Sequence, residues 1–246
     1  MRILLISDIH ANIVALDTVL KQADGAYDKI WCLGDIVGYG PAPNECVERL
    51  RNLGVESLAG NHDWAVLDKL SVEDFNSNAR RAILWTQDVL RGENRDWLTA
   101  LLEWGKRPEY DLTLVHGSPR HPIWEYILTT ATATENLSYF DTRICLFGHT
   151  HVPNLFYQAG ENKRINPQYL AAGEPLSLTQ HTKYLLNPGS VGQPRDRDPR
   201  AAYAILDLDT RTFTPWRVEY NIAETQKAME KARLPHPLIE RLDYGV

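Results

Sequence analysis

From residue 2 to residue 59 the chain alternates short apolar runs with amphipathic stretches, and this alternation limits the possible folds more than any other feature. "RILLIS" is an apolar run, and "IVALDTVLKQA" then sets Ile13, Leu16, Val19 and Leu20 at helical spacing. "KIWCLG" is a second run. "NECVERLRNLG" offers Asn44 as an N-cap, Val47 and Leu50 as an inward stripe and Gly54 as a stop, before "VESLAG" supplies a third run. Strand and helix in this order predict a parallel sheet with right-handed crossovers, whose ligand sites lie beyond the carboxyl ends of the strands.

The stretch from Ser71 to about Leu102 is predicted helical, with Phe75, Ala79, Ala82, Ile83, Val89 and Leu90 as its inward stripe. "YDLTLVHG" and "RICLFGH" are further apolar runs. After them "NLFYQ", "KYLLNPGS", "AAYAILDLD" and "TFTPWRVEY" predict a second sheet. "IAETQKAMEKARL" reads as a terminal helix stopped by Pro235 and Pro237. With no repeat and no low-complexity linker, residues 1–246 are expected to form one domain.

Composition narrows the function. The chain is 43% hydrophobic and 24% charged, an ordinary globular balance, and no run approaches the roughly 18 apolar residues that span a bilayer. "MRILLISDIH" reads as a buried first strand and not as a signal peptide, so the expected location is the cytoplasm, without a membrane. Cys32, Cys46 and Cys145 are odd in number and widely spaced, which suits reduced, buried thiols. A net charge of -6 argues against a partner as long and polyanionic as nucleic acid.

The polar endings of the apolar runs carry the chemistry: "SDIH" at 7–10, "GD" at 34–35, "GNHD" at 60–63, "HGSP" at 116–119 and "GHTH" at 148–151. Each has an ordinary structural explanation when taken alone. Asp8 or Asp35 caps a helix, Asn61 makes an Asx-turn, His116 is a core histidine, and His149 and His151 face solvent. Taken together they crowd carboxylates, an amide and imidazoles onto one edge of a sheet. Burying such groups side by side is costly unless a cation lies among them.

In order and spacing these stretches resemble the motifs of the calcineurin-like metallophosphoesterase family, D-x-H, G-D, G-N-H-D/E, H and G-H-x-H, over roughly residues 1 to 155. "NPGSVGQPR" at 187–195 looks like the C-terminal part of small bacterial, phosphodiesterase-type members. The resemblance implies a four-layer αββα sandwich with two mixed β-sheets. It also implies a first metal held by Asp8, His10, Asp35 and His151, and a second by Asp35, Asn61, His116 and His149. The turn at Gly148 would then let His149 and His151 reach different ions. Nitrogen and oxygen ligands without thiolate suit two divalent transition-metal ions (Mn, Fe, Zn, Co or Ni), with Mn favoured as the expectation.

Two cations about 3.5–4 Å apart can share a hydroxide and clamp a phosphoryl group for in-line attack, so the implied reaction is hydrolysis of a small phosphodiester or phosphomonoester. By the same resemblance His62 faces the leaving oxygen while Asp63 fixes its ring. The structural alternative is that both simply hold the Asn61 loop. One departure matters. Protein phosphatases and dinucleotide-polyphosphate-cleaving relatives carry a phosphate-binding arginine in G-D-x-V-x-R-G, and "GDIVGYG" has Tyr39 there, a neutral phenol. Tyr39 and Arg120 are the expected substrate-binding residues, with Arg195 or Arg197 as further compensating cations that read equally well as solvated surface charges. The insert from Ser118 to Asp141, with Trp124 and Tyr126, reads as a loop over the pocket, its aromatics either stacking on a base or simply packing. The competing readings are a nuclease of the same family and a non-catalytic protein-binding scaffold on the same fold.

Overall fold

The computed structural model describes residues 1–160 and 164–246. In chain order its elements are β1 (Arg2–Ile6), α1 (Ile13–Gln22), β2 (Lys29–Cys32), α2 (Pro43–Asn52), β3 (Glu56–Ser57), α3 (Asn61–Val66), α4 (Ser77–Val89), α5 (Gly92–Thr99), β4 (Trp104–Arg107), β5 (Leu112–Val115), α6 (Thr130–Asn136), β6 (Ile144–Leu146), β7 (Leu155–Ala159), β8 (Asn166–Gln168), β9 (Leu176–Ser177), β10 (Thr182–Leu186), β11 (Ala201–Asp207), β12 (Thr212–Val218), α7 (Ile222–Lys231) and α8 (His236–Tyr244). They form two six-stranded sheets, ordered β3-β2-β1-β11-β12-β9 and β4-β5-β6-β10-β7-β8.

The first half of the chain supplies the parallel set β1, β2, β3, as the alternation predicts. The same sheet is completed by antiparallel β11, β12 and β9 from far along the chain, which makes it mixed. In the second sheet β5, β6 and β10 run parallel, flanked by antiparallel β4, β7 and β8.

Period-two alternation builds the layers. Ile3 and Leu5 of β1, Leu112 and Leu114 of β5, Ile144 and Leu146 of β6, and Tyr184 and Leu186 of β10 form one buried cluster between the sheets. The intervening Leu4 and Ile6 face outward onto Leu16 and Val19 of α1 and Val47 and Leu50 of α2. On the other side Val115, Cys145 and Leu185 pack under Ile127, Ala133 and Phe140. The result is the expected αββα sandwich, with a thin fourth layer in which α6 is accompanied mainly by loop.

Three local readings need correction. Asn44 does not cap α2: Ala42 precedes it, Pro43 occupies the first turn, and the Asn44 side chain instead crosslinks Val89 O (2.8 Å) and Arg91 N (2.8 Å). The helical stretch from Ser71 is broken between α4 and α5, where Leu90 is extended. Pro235 and Pro237 end no more than α7; they open α8, where a proline's missing N–H has no partner to lose. All three cysteines are free and buried. No helix among the described residues is long and apolar enough to cross a membrane.

Candidate metal centre

All six parallel strands end at the same edge of the sandwich, and each delivers one loop. β1 leads to Asp8 and His10, β2 to Asp35, β3 to Asn61, β5 to His116, β6 to His149 and His151, and β10 to Asn187. Ligand atoms of Asp8, His10, Asp35 and His151 lie within 4.8 Å of one another, and so do those of Asp35, His116 and His149. Asp35 belongs to both groups. The Asn61 Oδ1 joins the second, 3.2 Å from His116 Nε2.

The four rings share one arrangement. His10 Nδ1 donates to the Val37 carbonyl (3.2 Å), His151 Nδ1 to Gln193 (2.6 Å), His116 Nδ1 to Leu33 (2.8 Å) and His149 Nε2 to Trp124 (3.0 Å). A carbonyl can only accept, so each ring carries its hydrogen on the outer nitrogen and turns a lone pair inward. His10 Nε2 and His151 Nε2 then face each other at 3.0 Å, and His116 Nε2 faces His149 Nδ1 at 3.2 Å. Lone pair against lone pair is repulsive unless a cation lies between.

Asp35 is oriented the same way. Its Oδ1 accepts from the His62 backbone N–H (2.9 Å), while Oδ2 is buried without a hydrogen-bond partner, 3.5 Å from both His10 Nε2 and His116 Nε2. An orphaned carboxylate oxygen set between two ligand groups fits a bridging ligand. Both Asp8 oxygens accept from the His149 N–H at 3.1 Å.

The electrostatics agree. Burial holds the His10, His149 and His151 rings well below the usual histidine range, which keeps them neutral. Burial also disfavours charge on His116, but Asp35 and Asp8 outweigh it and raise this ring to about 9, the sign of a place that attracts positive charge. Burial works against ionisation of Asp35 as well, yet His116, His62 and His10 hold it well below the usual carboxylate range. The donor set therefore fits two cations.

The backbone is strained to make this centre. Asp8, His10, Asp35, His149 and His151 all have positive φ, between 47° and 64°, a region costing about 1–2 kcal/mol for a side-chain-bearing residue. Gly148 itself is not left-handed. It is required by close approach, because a Cβ there would overlap Ser7 Oγ, and the turn expected at this glycine is made by the two histidines. In the same way a Cβ on Gly60 would overlap Asp35 Oδ1.

His62 packs its ring between His10 (centroids 4.8 Å), Tyr39 (4.3 Å) and Phe75 (5.1 Å). Its Nδ1 is buried without a partner. Burial, opposed by Asp35 and aided by Arg195, lowers the ring to about 4. Asp63 does not touch this ring. Its carboxylate accepts from the backbone N–H groups of Ile36 (3.0 Å), Val37 (3.0 Å) and Gly60 (2.9 Å), stapling the Asp35 and Asn61 loops together.

Of the proposed substrate cations, Arg120 is engaged elsewhere: it pairs with Glu125 and, at 3.0 Å, with Glu135. Arg197 is exposed. Arg195 faces the centre. Its backbone N–H donates to the His151 carbonyl (3.1 Å), its guanidinium lies 5.6 Å over the Tyr39 ring, and its charge acts on His10, His62, His149 and His151. The expected cover is present too, since Tyr126 stacks on His149 at 3.9 Å and Trp124 meets Phe75 edge-on at 5.0 Å. These two are 45% and 40% exposed whereas none of the clustered Asp, Asn and His side chains exceeds 3%, so the aromatic pair stands between the cluster and solvent.

Sequence reasoning missed the four carbonyl anchors and the turn at 187–193. There the Asn187 amide donates to Gly148 O (2.7 Å), and Ser190 Oγ donates to Asp8 O (2.8 Å) while accepting from Gln193 N (2.8 Å). The "NPGSVGQPR" stretch was the available signal.

Comparison with known proteins agrees with this geometry. The calcineurin-like phosphoesterase superfamily domain matches residues 1–211. An uncharacterized protein of Methanocaldococcus jannaschii is 41% identical over 248 residues, 99% of this chain and 98% of its own. A symmetrical bis(5'-nucleosyl)-tetraphosphatase of Thioalkalivibrio sulfidiphilus is 32% identical over 144 residues, covering 55% of this chain and 51% of that protein. Among solved structures, a metallophosphoesterase from Sphaerobacter thermophilus superposes with TM-score 0.88 at 50% identity, over 100% of this chain and 99% of the other. A hypothetical protein from Pyrococcus horikoshii shares the fold, with TM-score 0.80 at 22% identity over 100% and 98%. This chain belongs to the calcineurin-like phosphoesterase superfamily and is a phosphate-ester hydrolase.

Proposed function

We propose that this hydrolase cleaves a small phosphodiester or phosphomonoester at two divalent ions, one held by Asp8, His10, Asp35 and His151 and the other by Asp35, Asn61, His116 and His149. The observation that carries the reading is the convergence of four anchored imidazole lone pairs on the orphaned Asp35 oxygen. When bound, such ions polarise a phosphoryl group and supply a nucleophile from water at neutral pH. The protein's own groups do the rest. Arg195 offers a guanidinium to the phosphoryl oxygens, in place of the arginine that Tyr39 replaces. His62, whose Nδ1 is turned against Gly38, would serve the leaving oxygen through its other ring nitrogen, and Asp63 acts only through the loop it staples. Trp124, Phe75 and Tyr126 form an aromatic cover beside the centre, which a small substrate fits better than a long strand and which disfavours the nuclease reading. Mn is the favoured metal, and dinucleoside polyphosphates belong in the first substrate panel because relatives bear that name.

Metal analysis of the purified protein, combined with turnover of a generic aryl phosphodiester and of an aryl phosphomonoester, tests the reading directly. Fewer than two ions per chain under metal-replete conditions, or no turnover with both ions present, would reject it. The role of His62 has its own test. His62→Ala is expected to keep its metals and lower kcat for alkyl esters by on the order of 10²–10⁴, and by clearly less for nitrophenyl esters, which depart without a proton. Equal losses on both would reduce His62 to support for the Asn61 loop.

A further inference from the structure

The turn from Ser190 to Arg195 ties two residues of the clustered centre to the nearby cation. Ser190 Oγ donates to the Asp8 carbonyl (2.8 Å) and accepts from the Gln193 N–H (2.8 Å). The Gln193 carbonyl accepts from His151 Nδ1 (2.6 Å), and two residues further on the Arg195 N–H returns to the His151 carbonyl (3.1 Å). The main chain of the turn is thus fixed to Asp8 and, twice, to His151. Its side chains settle where the guanidinium points.

Gln193 is 2% exposed, and its Oε1 lies 2.9 Å from Arg195 Nη2. A guanidinium can only donate, so the amide turns its oxygen to the arginine and not its nitrogen. The Arg195 Nε is buried without a hydrogen-bond partner. Its guanidinium carbon stands 5.6 Å over the Tyr39 ring, which meets His10 edge-on with centroids 4.6 Å apart. The acids that follow Arg195 in the chain are engaged elsewhere, Asp196 with Arg217 and Asp198 with Arg200 (2.7 Å). A neutral group therefore directs this cation. A carboxylate in the same place would orient the guanidinium as well, but it would neutralise the charge and compete with a phosphate for the same donors. An amide oxygen holds one Nη and leaves the charge intact.

We propose that Gln193 is a positioning residue for phosphate binding, an assignment that rests on the reading of Arg195 as the cation meeting the phosphoryl oxygens. The Gln193 amide oxygen aims the Arg195 guanidinium, and the turn that carries both residues ties this aim to Asp8 and His151. Gln193 itself makes no contact with the substrate.

The test sets two near-isosteric variants of the full chain against each other, read by calorimetric titration of the metal-loaded protein with orthophosphate. Gln193→Met keeps the volume and removes the acceptor, and it should weaken orthophosphate by about 3–10-fold, the net scale of one hydrogen bond. Gln193→Glu keeps an acceptor but adds a competing charge, and it should weaken orthophosphate further, by about 10–100-fold. A residue that merely fills space and satisfies a buried bond would give the opposite order, with Gln193→Glu the milder change. Both variants should carry wild-type metal, because His151 is held by the main chain at Gln193 and not by its side chain. In an Arg195→Met background, which alone should cost about 10–100-fold, adding Gln193→Met should cost less than about twofold more. If Gln193→Met does not fold, Gln193→Ala replaces it. The opposite order, loss of metal from Gln193→Met, or a full loss persisting without Arg195 overturns the positioning role. Unchanged orthophosphate affinity in Arg195→Met instead rejects the reading of Arg195 itself. Because binding is measured, the comparison stands even if wild type hydrolyses neither aryl ester, an outcome that rejects hydrolysis alone.

Discussion

The two halves of the proposed metal centre both draw on Asp35 but are held by different parts of the molecule. Around His10 and His151 the support is the sandwich itself. Ser190 and Gly192 bond to the Asp8 carbonyl (2.8 and 3.0 Å), Val191 N–H to Ser7 O (3.0 Å) and the Asn12 amide to Gly192 O (3.0 Å), locking the β1 loop to the 187–193 turn. Around His149 the support is borrowed from the 118–141 insert, through the Trp124 carbonyl and the Tyr126 ring. That insert is held by Glu125, which accepts from Ser118 Oγ (2.7 Å), Asn136 Nδ2 (2.8 Å) and Arg120. One half therefore inherits the rigidity of the core, while in the other His116 is anchored to the core carbonyl of Leu33 and His149 alone depends on the polar network above it. The two ions should differ in how easily each is lost.

The largest perturbation abolishes the comparison. Asp35→Asn is expected to remove activity and empty both halves, a loss beyond the roughly 10–100-fold that an outer partner is worth, because an amide cannot supply the bridging charge. Metal analysis that still found two ions per chain would refute the bridge. Next come His10→Ala and His116→Ala, which should each release mainly one ion, and a different one. Identical release from both variants would mean that the halves do not act separately.

A smaller change sharpens the contrast from a distance. Glu125→Gln touches no metal ligand, yet by loosening the insert it should weaken one ion by about 10–100-fold and leave the other nearly unaffected. Competitive chelator titration reads both affinities, and equal weakening would erase the distinction. The mildest test uses acid. Burial disfavours charge on Glu125, but hydrogen bonds from Arg120, Asn136 and Ser118 prevail and hold it down to about 2, against 4.5 for a free glutamate. A depressed folded-state value means the support is complete above pH 4.5 and is lost as pH falls towards 2. Protease cleavage within the insert should rise across that window in wild type, while Glu125→Gln should be cleaved more readily already at pH 6. A flat wild-type profile would show that Glu125 does not hold the insert.

The strands and their polar ends were legible because apolar runs have a period and an end. Ile3 and Leu5 against Leu4 and Ile6 record two different layers in four letters. The ligand residues stood out because Asp and His rarely follow buried strands so often. The anchors of those ligands had no such signal: Leu33, Val37, Trp124 and Gln193 contribute main-chain carbonyls, which every residue has. Asn44 misled because a capping residue type was used as a crosslink. Pro235 misled because proline stops one helix and starts another with equal ease. Charge alone could not separate Arg120 from Arg195, whose roles depend on Glu125 and Glu135 being near only one of them.

The left-handed residues bear on how such a sequence persists. At Asp8, His10, Asp35, His149 and His151 glycine would adopt the same backbone at lower cost, so for folding alone each of these side chains is a defect that neutral drift would remove. A descendant that kept the sandwich only as a platform for other proteins would be free to relax there, and would gain stability with each replacement. This chain retains all five strained ligands at once. Five strained side chains gathered at one sheet edge fit a place where the side chain itself is needed, at a cost that glycine would avoid.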